Sequence, residues 1–77
     1  MNRAAVLEHL AHTERHIRDG ERHLLRQREI VAELVCHGHG HSTAARLARD
    51  LLELFEKAQS AHLDDRARLM LALQASK

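Results

Sequence analysis

Eight of the 77 residues are histidine, and imidazole is the side chain best suited to proton and metal chemistry near neutral pH. His9, His12, His16 and His23 lie within about 60° of one another when the residues are stepped around a helix. His12 and His16 stand one helical turn apart, a spacing at which two imidazoles can share a divalent ion. Asp19 and His23 extend the series by further helical steps. One candidate metal set is therefore His12, His16 and His23, completed by His62 or by a symmetry mate, and the ions that suit it are Zn²⁺, Ni²⁺ and Cu²⁺. A second set is Cys36, His37, His39 and His41, whose thiolate and imidazoles are separated by Gly38 and Gly40. The histidine stripe contains neither a Glu-x-x-His nor a His-Glu-x-x-His, which argues against a carboxylate-bridged di-iron bundle and against a zinc-protease helix. Cys36 beside His37 lacks a third group to orient the pair, so nucleophilic catalysis is not expected there.

Each group also has a structural reading. The histidines of the first segment are equally suited to flank a coiled-coil seam as half-buried spacers, and the HGHGH run to form a solvated turn. His62, between Phe55 and Leu69 on an apolar arc, is either a core histidine that fixes register or a ligand reached from His16. Arg15, Arg18, Arg22 and Arg26 make a basic stripe of the kind that holds an RNA backbone. Glu8, Asp19, Glu29 and Glu33 dilute it, and no aromatic is placed for base stacking.

The elements that must carry these side chains are two long helices. Nothing but Gly20 interrupts residues 3–36, and nothing interrupts residues 43–75; between them lies His37-Gly38-His39-Gly40-His41-Ser42. Gly38 or Gly40 can end the first helix in a left-handed conformation, and Ser42 or Thr43 can cap the second. Helices of this length run about 50 Å, and a short loop makes them antiparallel neighbours. Leu10, Ile17, Leu24 and Val31 form one line of a heptad seam, and Val6, Thr13, Gly20, Gln27 and Leu34 the other. Folding back about the loop sets Leu24 against Phe55, Gly20 against Gln59, Ile17 against His62 and Thr13 against Arg66, a polar middle between apolar ends. The predicted fold is all-α, a single antiparallel helical hairpin.

The second helix is apolar over too wide a face for one neighbour. Leu47, Leu51, Leu54, Ala58, Phe55, Ala48 and Leu52 cover an arc of roughly 160°, where about 100° suffices against one partner. Small scaffolds without disulfides commonly oligomerise to complete a core. A homodimer with a four-helix core is expected, with Leu24, Leu47, Leu51, Leu54 and Phe55 in the core or interface.

Composition narrows the setting. Twelve Lys and Arg against eleven Asp and Glu give a net charge of +1, no footprint for nucleic acid or an acidic membrane. No run approaches the ~18 apolar residues of a bilayer span, and the early charged residues and histidines leave no room for a signal-peptide core. A single cysteine excludes an intramolecular disulfide and fits a reducing compartment, the cytoplasm. The chain is short for walling off a catalytic pocket, so an enzyme is not expected.

Gly20-Glu21-Arg22-His23, the run Arg26 to Leu34, Gly40-His41-x-Thr43 and the run Leu51 to Leu69 with Phe55, Glu56, Gln59, His62, Asp65 and Arg66 together resemble a group of short bacterial proteins with no assigned activity. The likeness covers most of the chain. Ser42 stands where that pattern usually has Asp as helix cap, and His37 and His39 are additions to it. In architecture alone the chain also looks like the Rop-type hairpins of plasmid copy-number control. The expected function is that of a self-associating interaction or regulatory module. The alternative is a histidine-based transition-metal-binding or metal-sensing protein, and the third reading an RNA-binding hairpin.

Overall fold

The computed structural model describes residues 2–76, which form helix α1 (Arg3–Cys36) and helix α2 (Thr43–Ala75) packed as an antiparallel hairpin. Local sequence sets both starts. The Asn2 side chain accepts from the Ala5 N–H at 2.8 Å, and the Ser42 hydroxyl accepts from the Ala45 N–H at 3.1 Å, each satisfying an N–H that the helix itself cannot.

The reversal is a Schellman turn. The Gly38 N–H donates to the Val35 carbonyl at 3.1 Å and the His39 N–H to the Leu34 carbonyl at 2.8 Å. This geometry needs positive φ at one residue, and Gly38 supplies it at 78°. Gly40 does not share that role. Instead its carbonyl accepts from Arg49 Nη1 at 2.8 Å, which ties the loop to the first turns of α2.

Val6, Ile17, Leu24, Ala45, Ala48 and Leu69 are the buried apolar residues, strung along one seam together with buried Thr13, Gln27 and Gln59. The two glutamines bond the helices to each other in opposite directions. Gln27 Nε2 of α1 donates to the Ala48 carbonyl of α2 at 2.8 Å, and Gln59 Nε2 of α2 donates to the Ile17 carbonyl of α1 at 2.9 Å. Gly20 faces Gln59, as the folded-back heptads require. His62 and Phe55 differ from expectation. Both are half-buried, because a two-helix rod encloses only the centre of its seam and leaves the flanking arcs to water.

The rod measures 56 × 14 × 13 Å between Cα extremes, with a radius of gyration of 17.1 Å. A compact domain of this length would have a radius nearer 11–12 Å. Shape thus limits burial, since each helix has one neighbour only. Among the described residues no helix is long and apolar enough to cross a membrane.

Candidate functional site

One face of the rod gathers the unusual side chains. His9, His16, His23 and Ile30 recur every seven residues along α1, immediately beside its seam, and so line one edge of the cleft between the helices. On α2 the matching seam residues are Leu69, His62, Phe55 and Ala48. Two rungs of this ladder make ring contacts. His16 stacks on His62 with ring centroids 5.0 Å apart and planes 8° apart, and His23 tilts against Phe55 at 5.6 Å and 56°. Between and beneath these rungs is an open groove of about 320 Å³, with Asp19, Gly20, Ala58 and Gln59 on its walls.

The floor of the groove carries a buried, unpaired acceptor. Gln59 is 7% exposed. Its Nε2 is committed to the Ile17 carbonyl, and its Oε1 finds no hydrogen-bond donor among the described residues. That oxygen sits where a Cβ at position 20 would be, so only glycine lets it in. The heptad pattern located Gln59 opposite Gly20, but pattern alone does not say which amide atom is left without a partner.

The candidate metal sets are dispersed. Among the described residues, no three His, Cys, Asp or Glu side chains come together as a metal-holding group. His16 and His62 meet, while His12 turns to Arg15, whose Nη2 lies 3.0 Å from His12 Nδ1, and His23 packs on Phe55. Cys36, His37, His39 and His41 are all exposed at the turn, where the backbone of His37 and His39 works as the helix cap.

Two of the four arginines of the basic stripe, Arg22 and Arg26, are ion-paired, and Arg18 has no ion-pair partner among the described residues. Arg26 contacts Glu29 at 3.2 Å and Glu33 at 3.7 Å, Arg22 contacts Asp19 at 3.9 Å, and Arg15 is engaged by His12. These are exposed contacts that hold charge near its complement, and each contributes little to stability.

Beside the groove runs an exposed apolar strip. Leu47, Leu51 and Leu54 of α2 are 61%, 41% and 61% exposed, next to the half-buried Phe55. Leu24, by contrast, is closed within the seam. Leu25, Leu63, Met70 and Leu71 are exposed apolar residues that the heptad reading did not single out, because they lie off both lines of the seam. Comparison of the chain with models of known protein families, with curated proteins and with solved structures finds no match.

Proposed function

We propose that this chain is a small self-associating helical hairpin that works as an interaction or regulatory module, with a second copy of itself as its first partner. The observation that carries this is the leucine strip of α2, exposed in a molecule with an undersized core. The hairpin has 5778 Å² of accessible surface, against about 4,800 Å² for a compact monomer of its mass. The surplus of roughly 1,000 Å² is close to the ~800 Å² that each partner contributes to an interface of standard size. Light scattering at micromolar concentration tests it. A particle of twice the 8.8 kDa chain mass is expected, and an 8.8 kDa particle would overturn the reading.

A separate observation supports a second reading, transition-metal binding. The His16 and His62 rings stack at 5.0 Å on the open face with planes 8° apart, and a turn of either ring would let both present a nitrogen to one ion. Two imidazoles are half of a tetrahedral Zn²⁺ shell, so any such ion draws its remaining ligands from water or from another copy. Elemental analysis of untagged protein purified without metal-affinity resin tests this reading. Stoichiometric metal would favour it, and metal-free protein that stays dimeric would leave the first reading alone.

A further inference from the structure

Helix α2 carries two heptad strips, and the hairpin uses one. Ala45, Ala48, Leu52, Phe55, Gln59, His62, Arg66 and Leu69 face α1. One residue earlier begins a second strip with the same alternation of three and four: Ala44, Leu47, Leu51, Leu54, Ala58 and Ala61. The pattern of a packed helix face is thus present on a side of α2 that α1 does not cover. We infer that the strip is covered by the same strip of a second copy, running antiparallel, with the two-fold axis crossing α2 between Leu52 and Glu53. This rests on the self-association proposed above and specifies its geometry.

Register follows from the layering that antiparallel heptads impose. With the axis at that point, Leu51 faces Leu54 of the second copy, Leu47 faces Ala58 and Ala44 faces Ala61, each layer occurring twice. Outside the central leucine layers Leu47 meets the small Ala58, and the outermost layers are alanine on alanine. The flanking positions then set Asp50 against Lys57 of the second copy, also twice. Asp50 and Lys57 are both exposed. Asp50 has no ion-pair partner among the described residues, and Lys57 has only a surface contact to Glu53 at 3.3 Å on its own helix.

Shifting the pairing by one heptad destroys this match in either direction. A slip toward the loop sets Asp50 against Asp50. A slip away from it sets Lys57 against Lys57 and Asp50 against Asp64, and drives Leu47 onto Asp65. A parallel pairing leaves Asp50 and Lys57 opposite Phe55 and His62, with no counter-charge. Only the inferred register satisfies both the apolar layers and the charges.

The groove supplies independent support. Ala58, its small α2 wall, stands next to Phe55 and His23. In the inferred pairing, the Leu47 side chain of the second copy enters beside Ala58 and fills part of the 320 Å³ opening, as a knob fills a hole.

Sedimentation velocity over a concentration series, on the full chain, decides the matter. Asp50→Lys and Lys57→Asp should each weaken dimerisation about tenfold, since symmetry turns two attractive contacts into two repulsive ones. The combined Asp50→Lys/Lys57→Asp chain should return to within about twofold of wild type. Both sites are exposed, so the helical circular dichroism of all three should match wild type. A dimeric wild type indifferent to the reversals, or a combined variant no better than the singles, would overturn the register while leaving self-association standing. A monomeric wild type would overturn both. A nitroxide on Ala72→Cys in a Cys36→Ser background gives a second measurement. The inferred axis puts the two labels about 60 Å apart. A separation under about 25 Å would mean parallel helices and would also refute the inference.

Discussion

The side-chain oxygen of Gln59 occupies the place where any residue but glycine at position 20 would carry its Cβ, while the amide nitrogen of the same side chain bonds the Ile17 carbonyl one turn away. Gly20 therefore does not end α1; it admits the side chain that fastens α2. The oxygen faces the Gly20 Cα–H, a weak donor at best, so this fastening leaves an acceptor underused in the middle of the rod.

Two opposing effects meet at position 20. Alanine gains about 1 kcal/mol of helix propensity over glycine, but it forces Gln59 to swing away and give up a buried hydrogen bond of about the same worth. Gly20→Ala should change stability by less than about 1 kcal/mol in urea melts, whereas in a Gln59→Ala background it should stabilise by about that amount. Gly20→Leu, too large for any rearrangement of Gln59 to accommodate, should cost about 1–3 kcal/mol. A melting temperature raised by Gly20→Leu would show that the close approach does not exist in solution.

Gln59→Met keeps the length of the side chain and removes the unpaired oxygen. The Ile17 carbonyl loses an extra donor but retains its bond within α1. The variant should be more stable by roughly 1 kcal/mol, because an unsatisfied buried acceptor costs more than a second bond to a carbonyl returns. An unfolding free energy lowered instead, as read from urea melts, would mean Oε1 has a water partner that matters.

Phe55 is half-buried against His23 and not enclosed. The 3–5 kcal/mol usual for deleting a fully buried aromatic is therefore too large for the isolated hairpin. A loss of about 2 kcal/mol is expected for Phe55→Ala. Less than about 1 kcal/mol would place the ring outside the seam altogether.

At the turn, Gly38→Ala should destabilise by about 1 kcal/mol or more, since its φ of 78° is disfavoured for any residue with a Cβ. Gly40→Ala meets only an ordinary contact, 3.5 Å to a Val35 methyl, and should be near neutral. Replacing His37, His39 and His41 together by glutamine should change the unfolding free energy from urea melts by no more than about 0.5 kcal/mol, because those side chains are exposed. Equal losses for the two glycines would argue against the turn described.

Leu54→Lys tests the exposed strip directly. Leu54 is 61% exposed in the hairpin, so the fold should survive the change. Self-association should not, and thermal unfolding should lose any dependence on protein concentration. A variant that remains dimeric would move the interface elsewhere.

Much of this architecture is legible in the order of the residues. Apolar heptads, the absence of proline and one glycine-rich break are local and periodic signals, and they suffice for two helices folded back on each other. The opposition of Gly20 and Gln59 could be read for the same reason, since a short loop and a seven-residue step leave little freedom of register. What needed the tertiary structure was anything set by side-chain direction or enclosure. Both Gly38 and Gly40 could end α1, and the hydrogen bonds to Val35 and Leu34 select Gly38. Four histidines share one side of α1, yet only His16 reaches a histidine of α2, because it borders the seam while His12 stands a further step around the helix and finds Arg15. His62 looked central on the apolar arc, but two helices bury a narrow line and not a face, so it is half-open to the groove. Sequence periodicity determined which residues lie on a common side; the number of neighbouring helices decided which of them are covered.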